Sequence, residues 1–305
     1  MSLTSLIKDK SWLRDWLETK VNPVSAQKFV NHHNNLMHNA SIGFRQDNNT
    51  SVGTAASYVL RYFIEPKSWL SSIAATQKDA SHKYTQIYGC IETLLQDIEK
   101  TDKDKDLAIA VASCLMSKLE TIGRGTYNYW FLPIVAESKD YKNLCNYLYE
   151  KEPDVVRDVY DITKSIRFNT AQIEIIPPNT KTRVISNPSF SLSKYVQGAD
   201  AQLISGNTLY DIRTSWKNSP MTVEYLYQQV CYYLLDEHNE YNITNFAWYY
   251  SRHEALFTHP VDRLIRNPVE LRKEFSNLCK DKISNKSAVD LYLERERKLN
   301  PYRIY

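Results

Sequence analysis

Glycine is scarce in this sequence, with 7 among 305 residues. So few glycines leave little room for tight loops and favour long helices. The five cysteines (90, 114, 145, 231 and 279) are odd in number and far apart. No Cys-x-x-Cys pair occurs, which argues against a disulfide framework and a structural zinc site and points to a reducing cytoplasm. No uncharged apolar run approaches the roughly 18 residues of a membrane helix. Residues 1–20 carry charge throughout and offer no apolar core of a secretory signal, so neither membrane nor export is expected. Repeats, low-complexity tracts, a phosphate-binding P-loop and a Gly-x-Ser-x-Gly elbow are also missing.

What is present is aromatic and mildly basic. Tyrosine alone supplies 22 residues, and net charge is +3 with a pI near 8.4. That charge permits nucleic acid without demanding it.

Residues 1–150 read as a helical region. Trp12, Leu13, Trp16 and Leu17 form a helical stripe, and Pro23 interrupts it. A second helix from Ser25 to about Met37 contains His32 and His33, adjacent residues that point to different faces. They suit a solvated polar face better than joint metal ligation. Thr54 opens a third helix, whose Ala55, Ala56 and Ser57 permit close packing and whose Arg61 lies one turn beyond Ser57. Further helices are expected over 78–100, 106–121 and 138–150, and Gly123 and Gly125 flank a basic turn. Pro153 marks the boundary with a second domain over 151–260. That domain opens on a helix with Val155, Val156, Val159, Ile162 and Ile166 at core spacing, and Asp158 and Asp161 on its other side. Pro177 and Pro178 break the chain before a short strand over 182–186.

Residues 198–214 read as a β-hairpin. Gly206 and Asn207 tolerate positive φ at its turn. If Ser205 pairs with Thr208, Gln202 faces Asp211 and Asp200 faces Arg213. Two carboxylates, an amide and a guanidinium then share one sheet face, a poor choice for a core. Paired hard-oxygen ligands suit Mg²⁺ or Mn²⁺. A polar hairpin with a cross-strand ion pair is the alternative. A helix follows from Val223 to Leu235, with Gln228 and Tyr232 four apart on one face, and Gln229 and Tyr233 at the same spacing. Residues 242–250 are the last strand expected, and 262–280 and 286–299 look helical and charged within a C-terminal tail, 261–305.

Over about 154–250 this pattern resembles the PD-(D/E)XK nuclease superfamily, especially its RecB-type exonuclease-like branch. Asp200 matches the first acid, Asp211-Ile212-Arg213 the Asp/Glu-x-Lys element, and Gln228 with Tyr232 the Gln-x-x-x-Tyr helix. The departures are Arg213 in place of lysine, and Gln202 opposite Asp211. The first acid is therefore either Asp200 or a position that here holds Gln202. The Gly-Thr-Ala helix around Thr54 loosely resembles one found upstream of some RecB-like cores.

The resemblance implies an α/β protein with a restriction-endonuclease-like αβββαβ core beside a large helical region. It implies an Mg²⁺- or Mn²⁺-dependent hydrolase cutting phosphodiester bonds of DNA. Asp200, Asp211 and the Ile212 carbonyl would hold the metal, Arg213 would contact the phosphate, and Gln228 and Tyr232 would orient the site. Two alternatives stand beside it. One is a degenerate nuclease fold that binds nucleic acid or protein without cutting. The other is a structural component whose helical half contacts protein partners. His238, His253 and His259 show no metal-ligand spacing, and Arg252-His253 after the last strand is either a phosphate contact or a solvated loop.

Overall fold

The computed structural model describes residues 3–21, 23–43, 49–72, 85–101, 104–123, 131, 134, 141–170, 183–196 and 198–282. The expected turn at Gly125, the break at Pro177 and Pro178, and the helix over 286–299 lie outside them.

The described chain is mixed α/β. Helices α1 (Leu3–Lys8), α2 (Trp12–Lys20), α3 (Pro23–Asn35) and α4 (Asn49–Ile64) come first. They are followed by α5 (Thr85–Lys100), α6 (Lys105–Gly123), α7 (Tyr141–Lys151) and α8 (Pro153–Thr170). Then come β1 (Val184–Ser186), β2 (Leu203–Ser205), β3 (Thr208–Arg213), α9 (Val223–Leu235) and β4 (Asn245–Tyr250). Beyond the last expected strand, β5 (Ala255–Pro260) pairs antiparallel with β4, and α10 (Val261–Leu264) and α11 (Pro268–Lys282) follow. Helix, three strands, helix, strand is thus the observed order over 153–250, and β5 was not foreseen.

The five strands form one sheet in sequence order. Neighbours are antiparallel except β3 and β4, which run parallel. A parallel pair needs a long crossover, and α9 supplies it. Period-two alternation then gives each sheet face its own core. Leu203, Tyr210, Ile212, Ala247 and Tyr249 join the buried residues of α4 through α8. Ile204, Leu209, Phe246, Trp248 and Tyr250 join those of α1, α2, α3, α9 and α11. The helices before residue 150 are therefore divided between both faces of the sheet.

The small residues of α4 do what their size allows. Ala55 and Ala56 are fully buried, and a Cβ on Gly53 would come within 3.1 Å of Thr214 Oγ1, just past β3. The five apolar positions expected on α8 are all buried. Asp158 on the same helix is buried too, and its carboxylate grips Arg252 at 2.6 and 2.7 Å. Arg252 also donates to the carbonyls of Thr214 and Gly43, each at 2.8 Å. Neither a phosphate contact nor a solvated loop describes it.

His33 overturns the expected polar face of α3. His32 is exposed, but His33 is buried in an aromatic cage of Phe29, Trp248, Tyr250, Phe257 and His259. Burial, with His259 and His32 nearby, pushes its pKa down to about 3.

Candidate functional site

The hairpin turns as expected at one residue and differently at the other. Ser205 pairs with Thr208 and Leu203 with Tyr210. Gly206 takes a positive φ of 61°, and Asn207 does not. Positive φ at the first central residue alone is the pattern of a II′ turn.

The ladder then stops at Leu203. Gln202 replaces the next backbone pair with its side chain. Its Oε1 accepts from the Ile212 N–H at 2.5 Å, and its Nε2 donates to the Ile212 carbonyl at 3.4 Å. Asp200 does not lie opposite Arg213. It makes an isolated antiparallel bridge with Ser189 on the β1 side. The expected cross-strand pairing of Asp200 with Arg213 is therefore corrected, because the second strand bends away once Gln202 takes over the hydrogen bonds.

Asp211 and Arg213 do share a face, the one against α9. Arg213 donates from Nε at 2.7 Å and Nη2 at 2.6 Å to one carboxylate oxygen of Asp211, Oδ2. Its Nη2 also donates to Gln228 Oε1 at 2.9 Å, and Gln228 Nε2 donates to the Tyr232 hydroxyl at 2.9 Å. The guanidinium lies 3.6 Å over the ring of Tyr225, which adds a cation–π contact. Thr222 caps α9 by accepting from the Tyr225 N–H, which fixes the helix phase. That phase sends Gln228 and Tyr232 to the hairpin. Gln229 instead turns to the Ala247 carbonyl, and Tyr233 stacks under Arg272.

The electrostatics follow from enclosure. Burial raises the pKa of Asp211, and Arg213 pulls against that shift. Burial opposes the charge of Arg213, but Asp211 together with Tyr225 and Tyr232 more than compensates, and the guanidinium is held charged. The Tyr232 phenol is raised by burial, by Asp200 and by Asp211. Its hydroxyl thus senses both carboxylates.

Two of the donors expected for Mg²⁺ or Mn²⁺ are engaged by the chain itself. Asp211 Oδ2 carries two N–H groups of Arg213, and the Ile212 carbonyl carries the amide of Gln202. A divalent cation there would sit against a permanently charged guanidinium. As arranged, the donor set does not fit a hard divalent ion. The sequence contained both signals, arginine for lysine and glutamine opposite Asp211. The loop after β3 adds an exposed Trp216 beside exposed Lys217, which the sequence reading missed.

No protein-family model, no curated protein and no solved structure matches the chain.

Proposed function

We propose that this chain is a restriction-endonuclease-like αβββαβ core of PD-(D/E)XK type that binds nucleic acid, DNA in the first instance, without cutting it. The carrying observation is the pairing of Arg213 with Asp211 at 2.6 Å, beside the Gln202 amide on the Ile212 carbonyl. The order of elements from α8 to β4 and the Gln228–Tyr232 pair on α9 support the fold assignment. Trp216 and Lys217, exposed on the loop after β3, supply a stacking surface and a cation, the two components of sequence-tolerant single-strand binding.

A second reading is metal-dependent cleavage of DNA with Arg213 displaced from Asp211 by Mg²⁺ or Mn²⁺. It is favoured by the joint effect of Asp200 and Asp211 on the Tyr232 hydroxyl. In that reading the metal would lower the pKa of a bound water and neutralise the scissile phosphate.

The deciding experiment incubates the full chain with linear, circular and single-stranded DNA in Mg²⁺, Mn²⁺ or EDTA, and measures binding at fixed salt. The non-cutting reading expects binding in EDTA and no cleavage in either metal. It further expects Mg²⁺ binding to appear in the double variant Gln202→Asp, Arg213→Lys. Metal-dependent cleavage by the wild type that disappears in Asp211→Asn would establish the second reading. Loss of DNA binding in all conditions would leave the fold as a protein-assembly component.

A further inference from the structure

Arg61 is an arginine of a different kind. It sits on α4, on the face of the sheet away from α9, and is 2% exposed. Its Cζ lies 5.0 Å from the Tyr58 ring centroid, and its Nη2 donates to Asn187 Oδ1 at 2.8 Å. Its Nε and Nη1 meet no acceptor among the described residues. Those two nitrogens carry three of the five N–H bonds of a guanidinium.

The surroundings repeat the pattern. Among the described residues, the buried Asn187 amide nitrogen has no acceptor and the buried hydroxyl of the adjacent Ser186 has no partner. Asn187 holds a left-handed φ of 49°, and its N–H donates to the Gln202 carbonyl at 3.2 Å. That fixes its amide toward Arg61 at the end of β1. Glu120, a carboxylate close by, is engaged by the Tyr58 hydroxyl at 2.7 Å.

Buried polar groups in folded proteins are paired, and a buried guanidinium stays charged. A cluster of an arginine, an amide nitrogen and a hydroxyl, short of acceptors, lacks one component: a compact, negatively charged ligand rich in acceptors. Arg252 shows what a structural arginine of this fold looks like, with an acceptor at every nitrogen.

We infer that Arg61, Asn187 and Ser186 form a binding site for a small phosphate-class oxyanion between α4 and the end of β1. The enclosure of the guanidinium suits inorganic phosphate or the phosphate of a mononucleotide rather than the backbone of a continuous strand. The inference stands on this geometry and is independent of the reading of the hairpin.

The test titrates the full chain with inorganic phosphate and, separately, with AMP and adenosine. Calorimetry and the thermal midpoint are followed at matched ionic strength, with chloride as control. The expected result is saturable one-to-one binding that raises the midpoint, lost in Arg61→Met and weakened at least tenfold in Arg61→Lys and Asn187→Ala. Phosphate binding equal to AMP identifies the free ion as the ligand. Tighter AMP binding with none for adenosine identifies a nucleotide. Arg61→Met without ligand should be as stable as the wild type or more so, since it removes an uncompensated buried charge. Absence of saturable binding to the wild type overturns the inference, as does undiminished binding in Arg61→Met. If Arg61→Met fails to fold, the wild-type titration with Arg61→Lys and Asn187→Ala decides by the same criteria.

Discussion

Two arginine–aspartate pairs stand at the same end of the sheet and differ in how they are built. Arg252 reaches Asp158 across 94 residues of sequence and grips both carboxylate oxygens, fork to fork. It also donates to two backbone carbonyls, so it joins α8, the end of β3 and residue 43 in one buried knot. Arg213 reaches Asp211 two residues away, and two of its nitrogens share a single oxygen. Its other contacts are side chains of α9, and its side chain keeps 19% of its exposure. The first pair holds layers together through groups that cannot rotate away. The second is held by side chains of α9 that can. One pair ties main chain from distant elements together, and the other is held within a hairpin and one neighbouring helix.

The strongest way to break that contrast is Asp158→Ala. It strands Arg252 in a fully buried place, and removing one member of a buried pair typically costs about 3–5 kcal/mol. Urea unfolding should show that loss, or no folded protein. A loss under 1 kcal/mol would remove the distinction between the two pairs.

Trp216→Ala sharpens the other side of the comparison. Stacking on one aromatic is worth about 1–3 kcal/mol per base. Affinity for a single-stranded oligonucleotide should fall by that amount at fixed salt while the unfolding midpoint stays put.

His33 supplies a titrating group with no counter-ion among the described residues. Its folded pKa near 3 lies below the ordinary value of 6.5, so folding favours the neutral ring. The stability it contributes is present above 6.5 and drains away as pH falls toward 3. Between pH 6.5 and 5 the loss should be about 1.5–2 kcal/mol, from roughly 1.4 kcal/mol per pH unit and one proton. The groups facing His33 are His259, Trp248, Tyr250, Phe257 and Phe29, with His32 on its own helix. Urea midpoints across the range for wild type and His33→Phe should diverge by that amount, and parallel curves would refute it.

Asp211→Asn should cost less than Asp158→Ala, about 1–2 kcal/mol, because Arg213 keeps Gln228, Tyr225 and its partial exposure. Smallest of all is Arg213→Lys, expected within about 1 kcal/mol in stability, since the ammonium can still reach Asp211 but forfeits the planar stack on Tyr225. Equal losses for Asp211→Asn and Asp158→Ala would mean that the hairpin pair is as structural as the other.

The parts legible in the sequence were those governed by local period and turn chemistry. The α8 core positions, the Ser205–Thr208 register and the Gln228–Tyr232 face all follow from spacings within a few residues. The parts that were not legible depend on distant partners. Nothing near Asp158 announces Arg252, and nothing near His33 announces the aromatic strands that enclose it. The fifth strand was hidden because Ala255 to Pro260 lies half-buried at the sheet edge, without a clean alternation. Within the site, the sequence already posed the Gln202 question. Only the bend at residue 202, which hands the hydrogen bonds of Ile212 to a side chain, shows why Asp200 leaves the ladder.

The knot at Arg252 also sets a timetable for the chain as it is made. The Ser41 and Ile42 N–H groups donate to the Arg252 carbonyl, and the Arg252 guanidinium returns a bond to Gly43, 209 residues earlier. Helices α1 to α3 pack on α9, β4 and α11, all encoded in the last third of the sequence. On a ribosome these first helices emerge long before the surface that receives them. Their apolar stripes stay exposed throughout that wait, a period when chaperones bind and aggregation competes. The final docking closes contacts of very long sequence separation, which makes it a slow step. Helices α1 to α3 cannot complete their packing until the last third of the chain is present.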